Sequence, residues 1–132
     1  MVAEITAPKS MGKVLGYNFS KVTAGNASVI LTSSMSVDAN GETNVERALT
    51  DMDMRIPSGI RTKKTVFHCS LNPHPDDRLT TEQLQDIARE YMEKMGYGKQ
   101  PYIVFKHNDI AREHIHIVSL RVDSYGKKLP YK

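Results

Sequence analysis

The segment from His114 to Asp123 carries apolar side chains on both of its faces. Ile115 and Ile117 fall on one face, and Val118, Leu120 and Val122 on the other. Side chains alternate along a strand, so this one cannot lie half in water. It belongs in the middle of a sheet that is covered on both sides by other elements. A second strand, Tyr102 to His107, precedes it by six residues, a spacing suited to an antiparallel hairpin. Earlier strands are expected at Ala27 to Ser33 and Lys64 to Leu71. The clearest helix runs from Thr81 to Met95: Thr80 and Gln83 have capping-box spacing, Leu84, Ile87, Ala88, Tyr91, Met92 and Met95 recur at helical intervals, and Gly96 and Gly98 stop it. Shorter helices are expected from Val45 to Met54, ahead of Pro57, and from Met11 to Tyr17 behind a Ser10 cap. The order β-α-β-α-β-β that follows the first helix gives an α+β fold, an α/β sandwich whose mostly antiparallel central sheet is flanked by helices.

A chain of 132 residues makes one domain with a real core. It holds no apolar run long enough to span a membrane and no secretory leader pattern. The single cysteine, Cys69, cannot pair internally, which points to a reducing cytoplasm. Net charge is only +3, but it is segregated. Lys9, Lys13 and Lys21 cluster early, Arg55, Arg61, Lys63 and Lys64 in the middle, and acids between Asp38 and Asp53 and between Asp76 and Glu93. Such a distribution suits either a basic face for phosphates or a mixed solvated surface. The closing run Gly126-Lys127-Lys128-Leu129-Pro130-Tyr131-Lys132 reads as a turn followed by the start of another element. Residues 1–132 are therefore expected to be a fragment of a longer protein.

Chemistry concentrates at the hairpin. His114 and His116 project from one face of the last strand, and His107, closing the strand before it, lies opposite His114 with Cβ atoms ~5 Å apart. Three neutral imidazoles at one sheet end can bind a transition metal and leave coordination positions open. Asp109, in the connecting loop, could orient one of these rings through its outer N–H or simply cap the loop. Glu113 points to the opposite face and is not counted as a ligand. His68, in mid-strand, reads as a satisfied buried histidine, and His74 as a loop residue between prolines, neither with a partner at ligand spacing. Of the six tyrosines, Tyr91 reads as core and Tyr102 as the start of a strand, while Tyr97, Tyr125 and Tyr131 fall in turns or near the chain's end. Tyr17 stands at the end of the first helix, between Lys13 and Lys21, where a phosphate would be welcome. It reads either as a nucleophile or as a packing residue.

The string His107-x-Asp109-x4-His114-x-His116-Ile117-Val118 resembles the three-histidine motif of plasmid and transposon relaxases, the mobilization nucleases of the HUH superfamily. Lys9-Ser10-Met11 and Leu15-Gly16-Tyr17-Asn18-Phe19-Ser20-Lys21-Val22 resemble the family's first motif. His68-Cys69-Ser70-Leu71-Asn72-Pro73, Leu79 to Leu84 and Tyr91 to Tyr97 resemble its second motif and the helix after it. The order is right over essentially the whole chain, and the likeness is greatest to relaxases of mobilizable elements in Bacteroides-like bacteria. The linker Ile110-Ala111-Arg112-Glu113 departs from the family's pattern.

The resemblance implies site- and strand-specific nicking and rejoining of single-stranded DNA at an origin of transfer, with accessory mobilization or coupling proteins as partners. It implies Tyr17 as the nucleophile, a divalent metal on His107, His114 and His116, and DNA contacts from Lys13, Lys21, Arg61, Lys63 and Lys64. Phosphoryl chemistry favours Mg²⁺ or Mn²⁺, whereas three imidazoles by affinity suit later metals such as Zn²⁺ or Ni²⁺. The competing readings are a metal-dependent hydrolase that needs no tyrosine, a non-catalytic single-stranded DNA-binding module, and a rolling-circle initiator. The last typically carries its tyrosine after the histidines, not before them.

Overall fold

The computed structural model describes residues 1–8, 10–108 and 113–130. Lys9, Asp109, Ile110, Ala111, Arg112, Tyr131 and Lys132, which include the expected tautomer-fixing carboxylate, lie outside the described residues. The elements run β1 (Val2–Thr6), α1 (Met11–Thr23), β2 (Ala27–Ser33), α2 (Val45–Arg55), β3 (Val66–Asn72), α3 (Thr81–Met95), β4 (Tyr102–His107) and β5 (His114–Leu120). The five strands form one sheet in the order β1-β3-β5-β4-β2, and every neighbouring pair is antiparallel. This is the expected α+β architecture, with β5 in the centre.

The two faces of β5 explain the layers. Ile115 and Ile117 join Phe67, Cys69, Leu71 and Val104 beneath Leu84, Ala88 and Met92 of α3. Val118 and Leu120 join Val66, Ile103 and Phe105 beneath Met11 and Leu15 of α1 and Ala48 and Met52 of α2. One helix thus covers one face and two cover the other. Capping fixes where the helices start: Ser10 and Asn44 accept from backbone N–H groups three residues on, and Thr80 and Gln83 close a reciprocal capping box. Gly96, at φ 85°, supplies the left-handed stop after α3.

One strand and several boundaries differ from the sequence reading, α2 by a single residue at Arg55. β1 was not expected; it pairs with β3 from Val2↔Asn72 to Thr6↔His68. α1 continues past Tyr17 to Thr23, because Phe19 and Val22 pack on the same core as Leu15. β3 starts at Val66 rather than Lys64, since its partner β5 ends at Leu120, opposite Val66. β5 stops at Leu120 rather than Asp123 because Gln100 Nε2 donates to the carbonyls of both Leu120 and Val122, at 2.8 Å each. A continued ladder would have needed those acceptors. Tyr97, expected in a turn, is fully buried against Phe67 with ring centroids 4.4 Å apart, and burial pushes its hydroxyl up to about 12.

Leu15 is fully buried at the contact of α1 with the sheet. Leu15→Ala is expected to lower unfolding free energy by about 2–5 kcal/mol in denaturant titrations. A loss under about 1 kcal/mol would mean that α1 is not anchored as described.

Candidate metal centre and nucleophile

Register brings the histidines together. His107 pairs directly with His114 across the β4–β5 ladder, and Phe105 pairs with His116. His107, His114 and His116 each offer a ring nitrogen, and these atoms all lie within 4.8 Å of one another. Ring centroids are 4.1 Å apart for His107 and His116, 5.2 Å for His107 and His114, and 4.9 Å for His114 and His116. All three project from the face that α1 covers, where Phe105 and Val118 form the apolar floor. The convergence read from the H-x-H spacing is therefore present.

The donor set suits a metal. His116 Nε2 and His114 Nδ1 face each other at 3.2 Å. Two nitrogens bound at about 2.0–2.1 Å to one ion, at right-angled to tetrahedral openings, stand roughly 2.9–3.4 Å apart. Three neutral imidazoles supply no charge to the ion, so an open position facing a phosphate would be electrostatically welcome there.

Asn18 is a residue that the sequence reading missed. It is 2% exposed, and its amide is oriented from two sides. Nδ2 donates to the Val14 carbonyl at 2.9 Å, so Oδ1 is the acceptor that meets His107 Nε2 at 2.7 Å. That nitrogen must then carry the proton, which leaves the lone pair of a neutral His107 on Nδ1. The signal was present in the sequence: Met11, Leu15, Asn18 and Val22 share one helical stripe, and a polar group on a buried stripe needs a partner.

His68 was also underestimated. It is satisfied, as expected, but not isolated, because its Nε2 lies 3.0 Å from His116 Nδ1, with the two ring centroids 5.1 Å apart. Its Nδ1 lies 2.9 Å from Thr6 Oγ1 on β1. Desolvation lowers its pKa, which favours the neutral ring. His74 is exposed, lies 3.6 Å from Asp76, and lines a cleft of about 470 Å³ with Arg78, Leu79 and Thr80 that contains none of the other histidines. Glu113 pairs with Lys106 at 3.0 Å, and Lys106 also reaches Thr81 Oγ1 at 3.2 Å. This agrees with its exclusion as a ligand.

Tyr17 sits in the middle of α1, not at its end, and is 57% exposed. Its ring centroid is 6.4 Å from that of His107. Lys21 Nζ stands 5.6 Å from the Tyr17 ring centroid, within cation–π range. Tyr17, Lys13, Asn18, His68 and His116 line one open groove of about 280 Å³ between α1 and the end of β1. Lys13 is thus brought to the groove that His68 and His116 line, and Lys21 to the ring of Tyr17. Lys63 and Lys64 are exposed and precede β3 at the end that pairs with Leu120, remote from His114. Arg61, two residues earlier, is exposed as well.

Residues 17–132 match the family described as Relaxase: MobA/VirD2-like, nuclease domain. The chain belongs to this relaxase family. The match takes in Tyr17, His68 and all three clustered histidines of the relaxase domain. No curated protein and no solved structure matches the chain. No helix among the described residues is long and apolar enough to cross a membrane.

Asn18→Leu keeps the volume and removes the acceptor that orients His107. Its expected effect is a roughly 10–100-fold weaker affinity for a divalent transition metal, with an unchanged circular dichroism spectrum. Wild-type affinity in this variant would show that His107 needs no such partner.

Proposed function

We propose that this relaxase domain nicks and rejoins a single DNA strand at an origin of transfer, with Tyr17 as the nucleophile and a divalent metal held by His107, His114 and His116. The observation that carries the reading is the position of Tyr17, an exposed phenol 6.4 Å between ring centroids from His107, lining the same groove as His116. Membership of a relaxase nuclease family supports it.

A metal on the three imidazoles would draw charge from the scissile phosphate's oxygens. The chain supplies the rest. Lys13, on the same helix face one turn before Tyr17, offers a cation at the groove. Lys21, one turn after it, places its ammonium against the aromatic ring, and both favour a bound phosphate backbone. Tyr17 Oη forms a bond to phosphorus while the bond to the 3′ oxygen breaks. The phenol loses its proton, and the departing oxygen gains one to become a 3′-hydroxyl. The 5′ end stays on the tyrosine as a phosphodiester, so the reverse reaction can reseal the strand without an external energy source. Tyr91 and Tyr97 are ill suited to this role, because burial raises the pKa of both hydroxyls.

Single-stranded DNA should be the preferred substrate, with an affinity that falls steeply as salt rises, because neutralised phosphates release counterions. Arg61, Lys63 and Lys64 belong to this proposal as contacts on strand lying further from the cleavage point, and Asp109 as an orienting carboxylate. Mg²⁺ or Mn²⁺ fits the chemistry, and accessory mobilization or coupling proteins are the expected partners.

With single-stranded origin DNA and Mn²⁺, the wild-type chain should form a protein–DNA adduct that survives denaturing electrophoresis. Tyr17→Phe removes one exposed oxygen and should abolish the adduct without altering the fold. His116→Ala should reduce adduct formation by about 100-fold or more, beyond the usual effect of losing an outer partner. Persistent adduct in Tyr17→Phe would assign the nucleophile elsewhere.

A further inference from the structure

A line of close contacts leads outward from the candidate metal centre. His116 Nε2 faces His114 Nδ1 at 3.2 Å. On the other side of the same ring, His116 Nδ1 meets His68 Nε2 at 3.0 Å. His68 Nδ1 then meets Thr6 Oγ1 at 2.9 Å, across the Thr6↔His68 pairing of β1 and β3. His68 is therefore one ring removed from the facing nitrogens, and it touches the nitrogen of His116 that points away from them.

The chemistry of imidazole constrains this line. A neutral ring holds one proton, so one nitrogen donates and the other accepts. The three contacts are compatible with donation in either direction along the chain. A metal on His116 Nε2 removes that choice, because a coordinating nitrogen needs its lone pair. His116 must then carry its proton on Nδ1 and donate to His68 Nε2. His68 in turn carries its proton on Nδ1 and donates to the Thr6 hydroxyl oxygen. Each ring keeps one proton throughout, so nothing is gained or lost by the chain. A ligand histidine held in the correct tautomer by an outer acceptor binds metal more tightly than one left to choose.

We propose that His68, backed by Thr6, is a positioning residue that fixes the metal-binding tautomer of His116. This rests on the metal-centre reading above. It assigns a role to a side chain that motif spacing leaves out and to a β1 threonine far away in sequence. Asn18 does the same for His107 from α1, so two of the three rings are oriented from opposite walls of the groove.

The test uses the whole chain labelled with ¹⁵N at histidine, with Zn²⁺ as a diamagnetic probe. In the zinc-loaded wild type, ring ¹⁵N shifts should show His68 as the Nδ1–H tautomer, with its Nε2 accepting and no coordination shift. By calorimetric titration, His68→Phe should bind Zn²⁺ about 10–100-fold more weakly. His68→Gln, which can accept from His116 and donate to Thr6, should recover most of that loss. If His68→Phe fails to fold, the wild-type shifts alone decide. An Nε2–H tautomer in the zinc-loaded protein overturns the proposal, as does a coordination shift on His68, or wild-type affinity in His68→Phe. Zinc affinity that is lost in His114→Ala but kept in His68→Phe overturns this proposal alone. A wild-type chain that binds no Zn²⁺ overturns the metal-centre reading and this proposal with it.

Discussion

The pairing of His107 with His114 across the β4–β5 ladder is the contact on which the site depends. Strand side chains alternate strictly, so a slip of one residue would throw His114 and His116 to the α3 face and Ile115 and Ile117 to the α1 face. The two cores guard against that slip. Ile115 and Ile117 are fully buried against α3, while Val118 and Leu120 are fully buried against α1 and α2. Each fully buried aliphatic contributes roughly 1.5–3 kcal/mol, so a slipped register would be opposed from both faces at once. Packing on two sides thus fixes the placement of three polar rings at the strand ends.

Those rings lie at the boundary between core and groove. Below them Phe105 and Val118 exclude water, and above them Tyr17 and Lys13 face an open groove. Polar groups so placed need partners, and the structure provides them from elements distant in sequence: Asn18 on α1 and Thr6 on β1, through His68. A partly buried network of this kind rigidifies only when its members are satisfied. α1 therefore has two tasks. Leu15 anchors it to the sheet, while Tyr17 and Asn18, on successive faces, reach the groove and the first histidine.

How much was legible follows from which interactions are local. The α3 capping box, the β4–β5 spacing and the three-histidine convergence are short-range patterns, and each appears where the sequence placed it. β1 was not legible. Val2–Thr6 is largely exposed, only Ile5 packs on a core, and its pairing depends on β3 more than 60 residues away. α1 was read short because Gly16, Asn18, Ser20 and Thr23 weaken helix propensity, whereas packing of Phe19 and Val22 overrides it. Ser20 and Thr23 also turn their hydroxyls back onto the Tyr17 and Phe19 carbonyls, which removes a competing use of those side chains. With α1 cut at Tyr17, the buried stripe that would have exposed Asn18 was broken. His68 looked isolated because its partner, His116, is 48 residues away, and only the β3–β5 pairing brings the two together.

The central claim is that three imidazoles converge on one ion, and X-ray absorption at the metal edge addresses it most directly. Chain loaded with one equivalent of Mn²⁺ or Zn²⁺ should show three imidazole nitrogens in the inner shell, at about 2.0–2.1 Å for zinc. That signature should lose one imidazole when any one of His107, His114 or His116 is replaced by alanine. An inner shell without imidazole, or one unchanged by all three replacements, would contradict the account.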